Sequence, residues 1–266
     1  IDIFVRFDYK EYSNKEKKIK SILERVLKRT FLNFKSKSKL KNNSFIFEKL
    51  RGSRDYFNIR FHNKEINSTI LFEIVPVLAI SKPEEARNIT DLSFFHVNYV
   101  NKYLSKDMKL KDNILLLKSF CYANGCYGAE SYIRGFSGYA IELLIIKYKR
   151  FLNIVKNLSV KWEKYFKKGK KIIIDMSKQY KKSSEILVEL NEAKLASPII
   201  LIDPTYNLRN VTAALSNETF TKFLKICKKF RKKPTREFFI KVRVDMKEFK
   251  KKAKAEKALT AVLKAY

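Results

Sequence analysis

Two acidic residues sit where strand-like apolar runs leave little room for a charge. They are Asp2 in Ile1-Asp2-Ile3-Phe4 and Glu73 in Leu71-Phe72-Glu73-Ile74-Val75-Pro76. A carboxylate in such surroundings is costly unless it is paired or binds a cation. Two of them on neighbouring strands could hold Mg²⁺, which takes a few carboxylates and fills its remaining positions with water and substrate phosphates. The same pattern fits two ordinary outward-facing strand residues, and spacing alone favours that reading. Cys121 and Cys126 could be half of a metal site, with only Cys227, His62 and His96 to complete it. With so few partners the set reads as small buried side chains.

Charge narrows the partners. The 266 residues carry 58 Lys and Arg against 27 Asp and Glu, a formal net charge of +31. Such a chain repels itself unless a polyanion or counterions screen it, and a phosphate backbone is the partner this charge fits. An anionic membrane surface is the competitor, but the basic residues are spread along the chain and not confined to one amphipathic helix. A Lys- and Ile-rich composition imposed by an AT-rich genome would give the same excess. The stretches Lys161–Lys182 and Lys222–Lys233 are the candidates for backbone contact, or else are solvated faces. No apolar run approaches the roughly 18 residues that cross a bilayer, so no membrane partner is expected. Three cysteines and no signal-peptide pattern point to a reducing, cytoplasmic compartment.

The elements that must position these residues can be read from periodicity. Ile1–Phe7 alternates, with Ile1, Ile3, Val5 and Phe7 on one side and Asp2 on the other, which predicts a half-buried strand. Ser13-Asn14-Lys15-Glu16 has the capping-box pattern and opens a helix with Ile19, Ile22, Leu23, Val26, Leu27 and Phe31 on one stripe. Lys35, Lys37, Lys39 and Lys41 mark a basic loop. Phe45–Leu50, Tyr56–Phe61 and Thr69–Val75 predict strands. Asp112–Tyr122 predicts a helix closed by Asn124-Gly125, Ser137 caps another, and Phe151–Leu158 is helical. Short strands follow at Lys171–Asp175 and Ile199–Asp203, then a helix at Asn217–Phe230, a strand at Glu237–Val244 and a Lys/Ala-rich helix. The fold class is α+β.

Three blocks carry a family resemblance. Gly125-Cys126-Tyr127-Gly128-Ala129-Glu130-Ser131-Tyr132-Ile133-Arg134-Gly135-Phe136-Ser137-Gly138-Tyr139, followed by Glu142-Leu143-Leu144, is similar to the central-domain signature of archaeal-type (class I) CCA-adding tRNA nucleotidyltransferases. Asp203-Pro204-Thr205-Tyr206-Asn207-Leu208-Arg209-Asn210-Val211-Thr212-Ala213-Ala214-Leu215-Ser216 resembles a second family segment. Asp91–Val100 resembles a third more loosely. The blocks lie in family order, and the resemblance covers about Ile1 to Phe239.

The resemblance implies a partial DNA polymerase β-like nucleotidyltransferase sheet over 1–105 and a helical central domain over 106–165. It further implies a small α/β, RRM-like body domain over 166–245, and a basic C-terminal helix over 246–266 that begins a tail. It implies addition of C, C and A to tRNA 3′ ends from CTP and ATP with Mg²⁺, the partners being the tRNA acceptor arm and the nucleotides. Carried over residue by residue, Asp2 matches the second and Glu73 the third of three metal-holding catalytic carboxylates. His96 matches a histidine beside the incoming nucleotide, and Ser93 replaces a triphosphate-contacting Thr. Lys118 and Tyr127 match triphosphate-pocket residues, and Arg209 matches the Arg that reads the base edge. A Lys ammonium serves phosphate as a point charge, and a phenol donates one directed bond. Glycines 128, 135 and 138 are read as conformational.

Departures from the family pattern shape the expectation. The family's Gly-Ser loop and first carboxylate lie upstream of the position of Ile1, Glu73 stands where the family has Asp, Leu92 replaces an Arg, and the family's tail domain would follow Lys241–Tyr266. Two of three metal ligands lead to the expectation that this stretch alone binds Mg²⁺ weakly and turns over poorly. A separate N-terminal polypeptide would complete it, or the chain would work as a homodimer. The rival readings are another template-independent polymerase of poly(A) or oligoadenylate type, a catalytically incomplete RNA-binding protein, and a basic structural module.

Overall fold

The computed structural model describes residues 1–37, 43–52, 54–64 and 66–241. Two compact units are present, Ile1–Val97 and a second beginning at Asn98. Both mix helix and sheet, so the α+β class holds.

The first unit is built on a four-stranded sheet. Strand β1 (Asp2–Asp8) is followed by a short helix α1 (Tyr9–Tyr12) and a long helix α2 (Glu16–Lys37). Then come β2 (Asn43–Leu50), β3 (Tyr56–Asn63) and β4 (Ser68–Ala79), in the spatial order β1-β4-β3-β2. β1 runs parallel to β4, and the other pairs are antiparallel. Side chains alternate across each strand, and one face packs on α2. Leu23 of α2 joins Phe57 and Ile74 in a buried cluster, with Val5, Phe7, Leu27, Phe47 and Ile59 packed around it. The opposite face carries Asp2 and Glu73. Ser13 departs from its reading as the cap of α2: it closes α1, its N–H bonded to the Tyr9 carbonyl at 2.9 Å. The helix extends to Lys37, over part of the stretch read as a basic loop, and Lys39 and Lys41 lie outside the described residues.

After β4 the chain makes two 3₁₀ turns, Pro83–Glu85 and Ile89–Leu92, and enters α3 (Ser93–Leu104), within which the unit boundary falls. The second unit continues with α4 (Lys109–Ala123), α5 (Gly138–Tyr148), a π-helical turn at Asn153–Leu158 and α6 (Ser159–Lys167). There follow β5 (Ile172–Asp175), α7 (Ser183–Glu189), α8 (Glu192–Leu195), β6 (Ile199–Asp203), β7 (Tyr206–Asn210), α9 (Asn217–Lys232) and a 3₁₀ turn at Arg236–Phe239.

Its three strands lie in the order β5-β6-β7, with β6 parallel to β5 and antiparallel to β7. Every residue of β6 is buried, because both faces of the sheet are covered. Ile199 and Leu201 face a large core shared by α4, α5, α6 and α9, whereas Ile200 and Ile202 face a smaller one with Ile186 and Leu190 of α7 and its C-cap. Helix α5 is apolar nearly all round and buries Ala140, Ile141 and Leu143 to Ile146, the pattern of a helix inside a core. Phe120 is fully buried and meets the rings of Phe151, Phe223, Phe230, Phe238 and Phe239. That ring cluster overrides the strand read at Glu237–Val244: Phe238 and Phe239 both reach Phe120, which an alternating strand would forbid, and 242–244 fall outside the described residues. The basic helix read at 246–266 also lies outside them. Cys121, Cys126 and Cys227 are buried free thiols, and burial pushes the Cys126 thiol up to about 11.

Candidate nucleotide site

Asp2 and Glu73 are register partners on adjacent parallel strands. Glu73 also pairs with Asn58 of β3, and Asn58 with Glu48 of β2. One row on the face away from α2 therefore reads Asp2, Glu73, Asn58, Glu48 across the sheet. Burial first, and then the charge of Asp2, raise the Glu73 carboxyl above its ordinary value. Asn58 is 7% exposed and its side-chain oxygen has no hydrogen-bond partner. Nothing in the sequence marked Asn58, since an Asn in a strand carries no motif.

These groups fit a hard cation. Two carboxylates and an unsatisfied amide oxygen in one row are the oxygen donors that Mg²⁺ accepts, with room left for phosphates. Among the described residues no group of three or more His, Cys, Asp or Glu side chains is gathered for a metal, so what this row offers a cation is two acids and a neutral oxygen.

Ser93 and His96 stand three apart on α3, which puts them on one helix face, both half-buried. Just before them Asp91 is fully buried. Its carboxylate forms an ion pair with Arg54 Nη1, takes Nη2 at 3.1 Å, and accepts the N–H groups of Leu78 (2.7 Å), Asn88 (2.9 Å) and Arg87 (3.1 Å). Asp91 thus locks the entry to α3 onto β4. The ion pair joins residues 37 apart, and no spacing rule could have found it.

Lys118 and Tyr127, which belong to the second unit, converge on Gly138, the first residue of α5. A Cβ on Gly138 would lie 3.1 Å from the Tyr127 hydroxyl and 3.7 Å from Lys118 Nζ. The local sequence produces this. Asn124 and Gly125 stop α4, and the chain from Cys126 to Phe136 folds back on itself. Phe136 N–H donates to the Cys126 carbonyl at 2.8 Å and Gly128 N–H to the Phe136 carbonyl at 2.9 Å. A side chain at residue 135 would collide with the Cys126 carbonyl, so glycine is needed there. Ser137 then caps α5, its hydroxyl accepting from Ala140 N–H at 3.1 Å. Lys118 is held by Glu142 one turn along α5, Nζ to Oε1 2.6 Å, with both side chains roughly a quarter exposed. An ammonium, a phenol and a helix N-terminus at one spot make a place for a phosphate anion.

Tyr139 links this spot to Arg209. The Tyr139 hydroxyl donates to Asp203 Oδ1 at 3.2 Å, and Arg209 Nη1 donates to Asp203 Oδ2 at 2.7 Å. The Arg209 guanidinium also lies over the Tyr139 ring, 5.7 Å from its centroid. Asp203 is fully buried at the end of β6 and additionally accepts the Thr205 N–H and hydroxyl, at 2.8 and 2.7 Å. Burial, and then the Asp203 charge, push the Tyr139 hydroxyl upward, so it stays protonated and keeps donating. Lys118, Tyr127 and Arg209 are thus gathered through α5, while Asp2, Glu73, Ser93 and His96 lie in the first unit.

Residues 112–240 match the family model "tRNA nucleotidyltransferase, second domain". The chain is 39% identical over 220 residues to the CCA-adding enzyme of Nanoarchaeum equitans, covering 83% of this chain and 48% of that protein. It is 31% identical over 242 residues to the CCA-adding enzyme of Sulfurisphaera tokodaii, covering 90% and 48%. The corresponding protein of Saccharolobus islandicus is 34% identical over 184 residues, covering 69% and 38%. A solved structure, "Crystal structure of mtPAP in Apo form", aligns over 71% of this chain and 44% of that one, at 14% identity and a TM-score of 0.36. The chain spans about half the length of the first two curated relatives, and 38% of the third.

Proposed function

We propose, from the premise that this chain is a homologue of the archaeal CCA-adding enzymes, that it contributes to template-independent addition of C, C and A to tRNA 3′ ends. CTP and ATP are the substrates and the tRNA acceptor arm the partner. The observation that carries the reading is the convergence of Lys118 and Tyr127 on the N-terminus of α5, with Arg209 set through Tyr139 and Asp203 beside it.

In this reading the Lys118 ammonium and the Tyr127 hydroxyl take the triphosphate oxygens where the helix dipole already favours negative charge. Glu142 fixes the ammonium without exhausting it, since a Lys carries three donors. Arg209, steered by Asp203 and the Tyr139 ring, presents its guanidinium to the base edge, where the acceptors of cytosine and adenine meet an N–H fork. Ser93 and His96 are assigned to the same nucleotide from α3. Asp2 and Glu73, with the Asn58 oxygen in their row, are the residues that would hold Mg²⁺. That ion, when bound, supplies charge neutralisation for the triphosphate and activation of the tRNA 3′-hydroxyl. The 3′-hydroxyl oxygen bonds to the α-phosphorus and gives up its proton to water, the bond from the α-phosphorus to its bridging oxygen breaks, and pyrophosphate leaves carrying that oxygen.

The test is transfer of labelled CTP and ATP by the native protein onto a tRNA lacking its last three nucleotides. The reading requires C, C and A to be added in order and Arg209→Ala to blur selection of CTP and ATP over UTP and GTP. Strict ATP use would move the protein to the poly(A) class, and tRNA binding without transfer would make it an RNA-binding relative.

A further inference from the structure

On the flank of the second unit, the end of α4 and the outer face of α9 enclose a groove of about 720 Å³. Its walls include Tyr122, Lys222, Lys225, Lys229, Lys232 and Lys241, and among the described residues no acidic one lines it. Lys222, Lys225, Lys229 and Lys232 recur at helical spacing, so they share one face of α9. At 1.5 Å per residue the row runs about 15 Å along the helix. All four are exposed, and among the described residues none forms an ion pair with a carboxylate. Like charges at this spacing repel one another along a helix. The row thus carries a like-charge repulsion that a bound anion relieves. The inner face of α9 accounts for its being held there: Phe220, Phe223, Leu224, Cys227 and Phe230 are buried in the core.

Two further observations say which anion. Tyr122 is 55% exposed at the groove wall, with Lys241 Nζ 5.0 Å from its ring centroid. Its other neighbour is Tyr127, the rings meeting edge to face at 6.5 Å. Tyr122 thus stands in the groove wall and touches Tyr127 through its ring edge. A linear polyanion lying along α9 would deliver its end beside the site described above, and an aromatic at that point suits a base or sugar. A flat anionic surface would have no use for a concave groove that leads to one tyrosine.

We infer that the α4–α9 groove is a track for the sugar–phosphate backbone of an RNA strand, contacted without regard to sequence by the Lys222, Lys225, Lys229 and Lys232 row and guided at Tyr122 toward Tyr127. The choice of RNA rests on the function proposed above; the groove and its charge do not.

The experiment is equilibrium binding of tRNA to the chain across a salt series, for the unsubstituted chain and for a variant combining Lys222→Ala, Lys225→Ala and Lys229→Ala. Each lost phosphate contact lowers the slope of log K against log salt by about 0.7 to 0.9. The expected result is a slope smaller by roughly two to three and an affinity lower by about tenfold or more at ~0.1 M salt. CTP binding should be unchanged, because Lys118, Tyr127 and Arg209 are untouched. A control variant with Lys15→Ala, Lys17→Ala and Lys18→Ala, exposed lysines of the first unit outside both basic stretches, has the same net charge and should keep the slope. Equal losses in both variants would reduce the groove to bulk charge and overturn the inference. So would an unchanged slope in the α9 variant, or loss of binding to phosphatidylserine vesicles with tRNA binding intact. Absence of CTP binding to the unsubstituted chain would count against the nucleotide site while leaving the groove result standing.

Discussion

Arg209 and Asp203 form a charge pair of unequal burial: the carboxylate is fully buried, the guanidinium about one-fifth exposed, and their atoms are 2.7 Å apart. The acid is the fixed partner, tied also to Tyr139 and Thr205, so the guanidinium is aimed by a rigid base. Removing the acid strands a cation and breaks three further hydrogen bonds. Asp203→Ala should destabilise the chain by roughly 3 kcal/mol, read by urea unfolding. Arg209→Lys should leave stability nearly unchanged but weaken CTP and ATP binding, since an ammonium lacks the planar fork.

The Arg54–Asp91 pair in the first unit invites a sharper stability test. Asp91 satisfies three backbone N–H groups besides the guanidinium. Asp91→Ala should cost about 3 to 5 kcal/mol, and Asp91→Asn less, because the amide oxygen still accepts. Calorimetry on the two variants ranks them; equal and small losses would mean the buried pair is not what ties α3 to the sheet.

Glu73 should make stability depend on pH and on cations. Its pKa is raised in the fold, by burial and then by Asp2. A folded acid with a raised pKa is most favourable below its unfolded value and loses that contribution as pH rises through the folded one. Glu73→Gln should therefore raise the melting temperature at neutral pH, with the gain vanishing toward pH 4. Mg²⁺ should stabilise the unsubstituted chain at neutral pH and do so much less for Glu73→Gln. A stabilisation by Mg²⁺ that ignores the substitution would remove Glu73 from the cation site.

Gly138 keeps the phosphate spot open. Gly138→Ala adds a methyl 3.1 Å from the Tyr127 hydroxyl, at a position where Ala otherwise favours helix. The variant should be as stable as the parent or slightly more so, while binding CTP more weakly by about tenfold, a loss of ~1.4 kcal/mol.

Much of this was legible from residue order. The alternation of Ile1–Phe7 put Asp2 on the face away from the core, Ser137 announced the start of α5, and Ile199–Asp203 read as a strand, though that both its faces are covered came only with the fold. What periodicity missed were partners distant in sequence. Glu142 holds Lys118 across 24 residues, Arg54 holds Asp91 across 37, and Asn58 meets Glu73 only through strand register. Ser13 carried a capping pattern, yet the preceding turn used its N–H first. Helix α3 was hidden inside a block valued for its polar residues.

The central claim is that the N-terminus of α5, with Lys118 and Tyr127, receives a nucleotide triphosphate. Titrating the chain with CTP by calorimetry tests it, comparing Lys118→Ala combined with Glu142→Gln, so that no acid is left unpaired, against the unsubstituted chain. Loss of a charge-assisted hydrogen bond is worth about 1.5 to 3 kcal/mol, so the dissociation constant should rise about 10- to 100-fold while the melting temperature holds. An unchanged dissociation constant would contradict it.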